Sequence, residues 1–97
     1  MEVEKACRKV VISNPQGLHA RPAYLFAEMA SKYDCKVEIV KDGERIDGTS
    51  ILEIITLGAS QGTELSIETV GPDADPALEA LAQLVGDGFR DNETESN

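Results

Sequence analysis

The sequence predicts an α+β fold: a two-layer sandwich, with a four-stranded antiparallel sheet and three helices on one face, in the order β-α-β-β-α-β-α. Short segments of alternating or β-branched residues are interleaved with segments whose apolar residues recur at helical spacing. An Asp42-Gly43 pair joins two of the strands directly, a hairpin signal that makes the neighbours antiparallel and gathers the helices on one side. The chain is 41% hydrophobic and has no tryptophan, so its single core must be built from aliphatic side chains.

Residues 7–13, CRKVVIS, are rich in β-branched side chains and read as the first strand. In residues 20–33, Ala23, Phe26, Ala27, Ala30 and Tyr33 fall on one helical face. KVEIV, 36–40, alternates with Val37 and Ile39 on one side, and a short strand over 44–46 follows the Asp42-Gly43 turn. SILEIITLG, 50–58, predicts a two-turn helix stopped by Gly58. TELSIETV, 63–70, alternates again with Leu65 and Ile67 inward. The loop GPDADP places Asp75 as N-cap and Pro76 at the first position of a helix over 77–85, which carries Leu78, Leu81 and Val85 and ends at Gly86 and Gly88. One domain is expected over 1–90, followed by an acidic tail, 91–97, with the composition of disorder.

Nine basic residues stand against 18 acidic ones, a formal charge of −9. That balance excludes nucleic acid, whose phosphates need concentrated cations, and disfavours an anionic membrane surface. The N-terminal segment lacks the apolar stretch of a signal peptide and no run approaches membrane-spanning length, so a cytoplasmic protein without membrane insertion is expected. Cys7 and Cys35 have no metal-ligand spacing, and in a reducing compartment both read as small half-buried hydrophobes.

The chain's single histidine, His19, lies in NPQGLHARPAYLF, where the first helical pattern begins. Gly17 permits a tight entry turn, and Pro22 suits a first helical turn, although the residue before a proline tends to avoid helical geometry. A helix start at His19 offers the backbone N–H groups of Ala20 and Arg21 together with the positive end of the dipole. That field favours a neutral ring with a nitrogen lone pair free to attack, and a dianion placed on the ring would meet the Arg21 guanidinium. Spacing alone leaves two readings open: a site that holds a phosphoryl group on histidine, or a solvated loop histidine beside a surface arginine. A metal site is the weakest reading, because one histidine without a ligand cluster cannot hold the ion.

GLHARPA, followed some thirty residues later by TSILEIITLGASQGTELSIETVG, resembles the HPr family, the histidine-containing phosphocarriers of the phosphoenolpyruvate-dependent sugar phosphotransferase system. The resemblance runs from about residue 7 to about residue 89, and it implies the family fold, an open-faced two-layer β-sandwich with the same β-α-β-β-α-β-α order. It implies that His19 accepts a phosphoryl group on Nδ1 from enzyme I, itself phosphorylated from phosphoenolpyruvate, and passes it to an enzyme IIA domain. It also implies that Arg21 is the active-site arginine and Pro22 the proline that follows it. Such a carrier is a stoichiometric relay without turnover of its own, and it needs no cofactor or metal. A monomer is expected.

Ser50-Ile51-Leu52-Glu53 has the form of a capping box, Ser50 accepting from the Glu53 amide and Glu53 reaching back to Ser50. The resemblance adds a second reading, since Ser50 matches the serine that an HPr kinase/phosphorylase modifies in some bacteria. The helix it opens is apolar nearly all round, more than one buried stripe requires. In the family, the residues matching Tyr24, Ile51, Leu52 and Ile55 dock donor and acceptor. Several relatives ring that patch with lysines, whereas Glu28 and Glu53 stand at such positions here, with Lys32 and Arg21 the remaining cations. Two alternatives stay beside the sugar relay: a regulatory binding module controlled through Ser50, and a carrier in a nitrogen-related or purely regulatory relay.

Overall fold

A computed structural model describes residues 4–89; the expected tail, 91–97, lies outside them. The elements are β1 Lys5–Val11, α1 Ala20–Ser31, β2 Lys36–Lys41, β3 Glu44–Asp47, α2 Ile51–Thr56, β4 Glu64–Val70 and α3 Ala74–Gly86. The strands form one antiparallel sheet in the order β1-β4-β2-β3, with β4 paired on both sides. The three helices lie on one face, as the patterning predicts.

The inward face of the sheet presents Val37, Ile39, Ile46, Leu65 and Ile67. Against it pack Ala23, Phe26, Ala27 and Ala30 of α1, Ile54 of α2, and Leu78, Leu81 and Val85 of α3. Thr69 is the one fully buried polar side chain among the described residues, and its hydroxyl donates to the Ala74 carbonyl at 2.7 Å, so it enters the core without an unpaired group. Asp42 and Gly43 both take positive φ, 51° and 83°, the conformation a tight hairpin turn requires.

The open face is charged rather than apolar. Register lines up Cys7, Glu68, Glu38 and Asp47 across the four strands, and the next row on one side carries Lys9, Ser66, Val40 and Arg45. Arg45 crosses between rows to bond Glu38 at 2.9 Å and also Glu68, while Lys36 approaches Glu38 at 3.5 Å. This alternation of sign covers an uncapped sheet surface with water-compatible pairs. Cys7 is accordingly exposed, not half-buried as expected, because strand parity turns it to the open face opposite Glu68. Cys35 is half-buried against the core; burial foremost, then the Asp73 and Asp34 carboxylates, push its thiol pKa up.

Element ends differ from expectation where a tertiary partner decides them. β1 starts at Lys5, two residues early, because β4 extends far enough for Val70 to pair with it. α1 stops at Ser31, so Tyr33 lies past the helix: the chain tightens through bonds from Lys32 N–H to Met29 C=O and from Tyr33 N–H to Ala30 C=O before entering β2. α3 begins at Ala74 with Asp73, not Asp75, at the N-cap position. The Asp73 carboxylate does not cap its own helix; it accepts the Asp34 N–H at 2.8 Å while Asp73 N–H returns to Asp34 C=O at 3.1 Å, tying the α1–β2 loop to the start of α3. Pro76 still lies in the first turn, where its missing N–H costs nothing.

Phe26 is 2% exposed and fills the space between α1 and the sheet. Phe26→Ala is expected to cost about 3–5 kcal/mol, read as a lower urea midpoint at unchanged slope. A pH dependence follows from Glu38, whose carboxyl is held below the ordinary range chiefly by its bond from Arg45, against a smaller opposing effect of burial. A depressed carboxylate contributes stability above its unfolded pKa and loses it as pH falls through the folded value. Arg45→Met should therefore lower the urea midpoint at about pH 7, and the gap to the unsubstituted chain should narrow as pH approaches about 3.

Candidate functional site

The segment between β1 and α1 is drawn against the one that follows α2. Leu18 N–H donates to Ala59 C=O at 2.9 Å, and Leu18 itself is buried. Gly17 has φ +69°, and a Cβ there would lie 2.4 Å from the Ala59 oxygen and 2.8 Å from Ser60 Cα. No side chain fits that approach, which is why the turn ahead of His19 needs glycine.

His19 occupies the N-cap position of α1 in extended geometry, φ −92° and ψ −161°, with an exposed side chain that makes no capping bond. Ala20 and Arg21 are the first two helical residues, ahead of the first intrahelical bond from Ala23 N–H to His19 C=O at 2.9 Å. The helix runs through Arg21 despite the following proline; Pro22 and Ala23 are both buried, and packing of that first turn overrides the local preference. Imidazole, guanidinium and the amide-bearing helix start are therefore brought together on one exposed corner.

His19, Arg21 and Pro22 line an open depression of about 400 Å³ whose remaining walls are Asn14, Pro15, Gln16, Gly88 and Phe89. The last two are invisible to any local reading, since they come from the far end of α3. Gly88 reads in the sequence only as a helix stop, and it lies against the β1–α1 loop: a Cβ there would sit 3.7 Å from Ser13 Oγ and 4.0 Å from Asn14 Cβ. Phe89 adopts φ +62°, unusual for a bulky residue, and is held there by burial of its ring and by its N–H bond to Leu84 C=O at 2.9 Å.

On α1, Tyr24 is 45% exposed, and its hydroxyl donates to Glu28 Oε2 at 3.2 Å. That bond, then the Glu28 charge, raises the phenol pKa, with Arg21 acting in the opposite sense. α1 packs against α2, whose Ile54 is buried and whose Ile51, Leu52 and Ile55 are exposed, Leu52 at 76%. The surplus apolar surface expected of this helix is thus present on the helix beside Tyr24.

Ser50 is the N-cap of α2, its Oγ accepting the Glu53 N–H at 3.3 Å. The second half of the expected capping box is absent: Glu53 Oε1 accepts the Asp47 N–H at 3.0 Å instead of that of Ser50. The Asp47 carboxylate in turn takes both the N–H and the hydroxyl of Thr49, and these bonds lower its pKa. The reason is the turn out of β3, where Ser50 N–H donates to Asp47 C=O at 3.2 Å and the free amide in reach of Glu53 is that of Asp47. Two carboxylates are consequently engaged in the turn that leads into Ser50. Among the described residues no three His, Cys, Asp or Glu side chains cluster as a metal site requires, and no helix is long and apolar enough to cross a membrane.

Residues 6–87 match the family described as the PTS HPr component phosphorylation site. The chain is 38% identical over 86 residues to the phosphocarrier protein HPr of Pseudomonas aeruginosa, covering 88% of this chain and 96% of that protein. The crystal structure of HPr-C-His from Thermoanaerobacter tengcongensis superposes with a TM-score of 0.84 at 37% identity, over 87% of this chain and 94% of that one. An HPr dimer from the same organism superposes at 0.71 with 38% identity, over 84% and 94%, so the monomer expected from the sequence is not a general property of the fold. With a family match over most of its length and relatives of this identity and coverage, the chain belongs to the HPr phosphocarrier family.

Proposed function

We propose that this protein is a phosphoryl relay in which His19 accepts a phosphoryl group from phosphorylated enzyme I and passes it to an enzyme IIA domain. The observation that carries the reading is the exposed imidazole at the N-cap of α1, beside Arg21 and at the rim of an open depression. In the accepting step the Nδ1 lone pair attacks phosphorus, and the new N–P bond forms as the donor's bond breaks. The electron pair of the broken bond stays with the donor. The added negative charge then lies at the helix start, where the Ala20 and Arg21 amides, the dipole and the Arg21 guanidinium favour it. Transfer onward reverses these steps, so the protein has no turnover of its own, and the chemistry calls for neither cofactor nor metal. In this reading the relay operates in the cytosol.

Tyr24, Ile51, Leu52 and Ile55 form the surface on which donor and acceptor dock in this reading, an apolar patch of the kind that interaction sites favour. Glu28, tied to Tyr24, sets part of its charge. Regulation at Ser50 by an HPr kinase/phosphorylase is the less favoured reading: Asp47 and Glu53 already take the Thr49 and Asp47 amides of this turn, and a phosphate on Ser50 would add negative charge to a turn that holds two carboxylates. Ser50 serves as a helix cap.

Intact-protein mass after incubation with phosphoenolpyruvate and the enzyme I of the same organism tests the relay. The unsubstituted chain should gain one acid-labile phosphoryl group and His19→Ala none; no gain, with the donor shown active on another carrier, sinks the reading. Glu28→Lys should leave the fold intact and change the rate of transfer at sub-saturating donor by about tenfold at low salt, the effect shrinking as ionic strength rises past about 0.15 M. A rate unmoved by that charge reversal would remove Glu28 from the docking surface.

A further inference from the structure

Asn14 lies five residues ahead of His19 and takes no part in the relay as described, yet it holds the turn from which His19 projects. It grips Gly17 twice: the Asn14 carbonyl accepts Gly17 N–H at 3.1 Å, and Asn14 Nδ2 donates to the Gly17 carbonyl at 2.8 Å. That same Gly17 carbonyl accepts the His19 N–H at 3.0 Å. A single side chain therefore bonds the very oxygen to which the backbone of His19 is tied. Its orientation is settled by chemistry, because reversing the amide would set two carbonyl oxygens face to face at hydrogen-bond distance.

This orientation leaves Asn14 Oδ1 buried with no hydrogen-bond partner among the described residues. The unpaired buried acceptor is a cost set against the bond that Nδ2 makes to Gly17. What the amide supplies is a hold on the carbonyl to which His19 is tied. The Gly17 N–H is held by the Asn14 carbonyl and the next residue by the Leu18–Ala59 bond, and the Asn14 side chain is what fixes the Gly17 carbonyl between them. Asn14 also lines the depression, together with Gly88 beyond the end of α3.

We propose that Asn14 is a positioning residue for His19: acting through Gly17, its side-chain amide fixes the imidazole at the rim of the depression in the orientation the transfer requires. The role rests on the reading of His19 as phosphoryl acceptor. A reacting group held in place reacts far faster than one that must find its geometry, and small misplacements are costly.

The test compares the full-length chain with Asn14→Ala and with Asn14→Asp, which keeps the shape but not the donor. Transfer from phosphorylated enzyme I is timed well below each variant's thermal midpoint, over a range of donor concentrations. Both variants should lose about tenfold in rate at saturating donor, with the half-saturating concentration little changed. A lowered thermal midpoint with the saturating rate retained would show a merely structural role and overturn the proposal, as would a change confined to half-saturation. The ring nitrogen signals of His19 in NMR give a readout independent of any donor. They should move in both variants, and identical signals overturn the proposal even if the unsubstituted chain itself takes no phosphoryl group, an outcome that would separately defeat the relay.

Discussion

The approach of Gly17 to the Ala59 carbonyl is the constraint from which the arrangement of this corner follows. With room for no side chain between them, the β1–α1 loop is pressed against the segment leaving α2, and Leu18 N–H locks the contact. Leu18 enters the core immediately beside the bond, so hydrophobic burial and backbone pairing act on the same residue. His19 follows directly and is left outside. The helix start, the exposed imidazole and the neighbouring α2 are thus held in register by two residues that do no chemistry.

The two faces of the molecule divide its polar and apolar surface unevenly. The sheet's open side carries charges of both signs, with Arg45 shared between Glu38 and Glu68. The helical side does the reverse on α2, where Ile54 and Leu57 suffice for the core and Ile51, Leu52 and Ile55 face solvent. A helix of six residues has too little length to gain much from its own hydrogen bonds. Its stability comes from Ile54, the Ser50 cap and packing on α1, which leaves its outer face free to be apolar.

Acidic residues at loop junctions serve as backbone ligands rather than as independent charges. Asp73 takes the Asp34 amide, Glu53 that of Asp47, and Asp47 that of Thr49. Each carboxylate satisfies an N–H that the neighbouring strand or helix leaves unpaired. A chain with twice as many acids as bases therefore spends several of them on its own turns.

The element order, the inward faces of β2 and β4, the helical stripe of α1 and the hairpin at Asp42-Gly43 were legible in the sequence alone, because each depends on periodicity or on a conformation few residues can adopt. The surplus apolar residues of α2 were legible because they exceed one buried stripe, and the sequence placed His19 and Arg21 at the start of α1. Tertiary structure decided what depends on partners far along the chain. β4 extended β1 back to Lys5, Asp34 drew the Asp73 carboxylate away from its helix, and Asp47 took the Glu53 side chain that the capping box assigns to Ser50. Gly88 and Phe89 joined the depression beside His19 only because α3 ends against the β1–α1 loop. Hydrogen-bond competition and packing between distant segments leave no period in a sequence, and these contacts had to be seen in three dimensions.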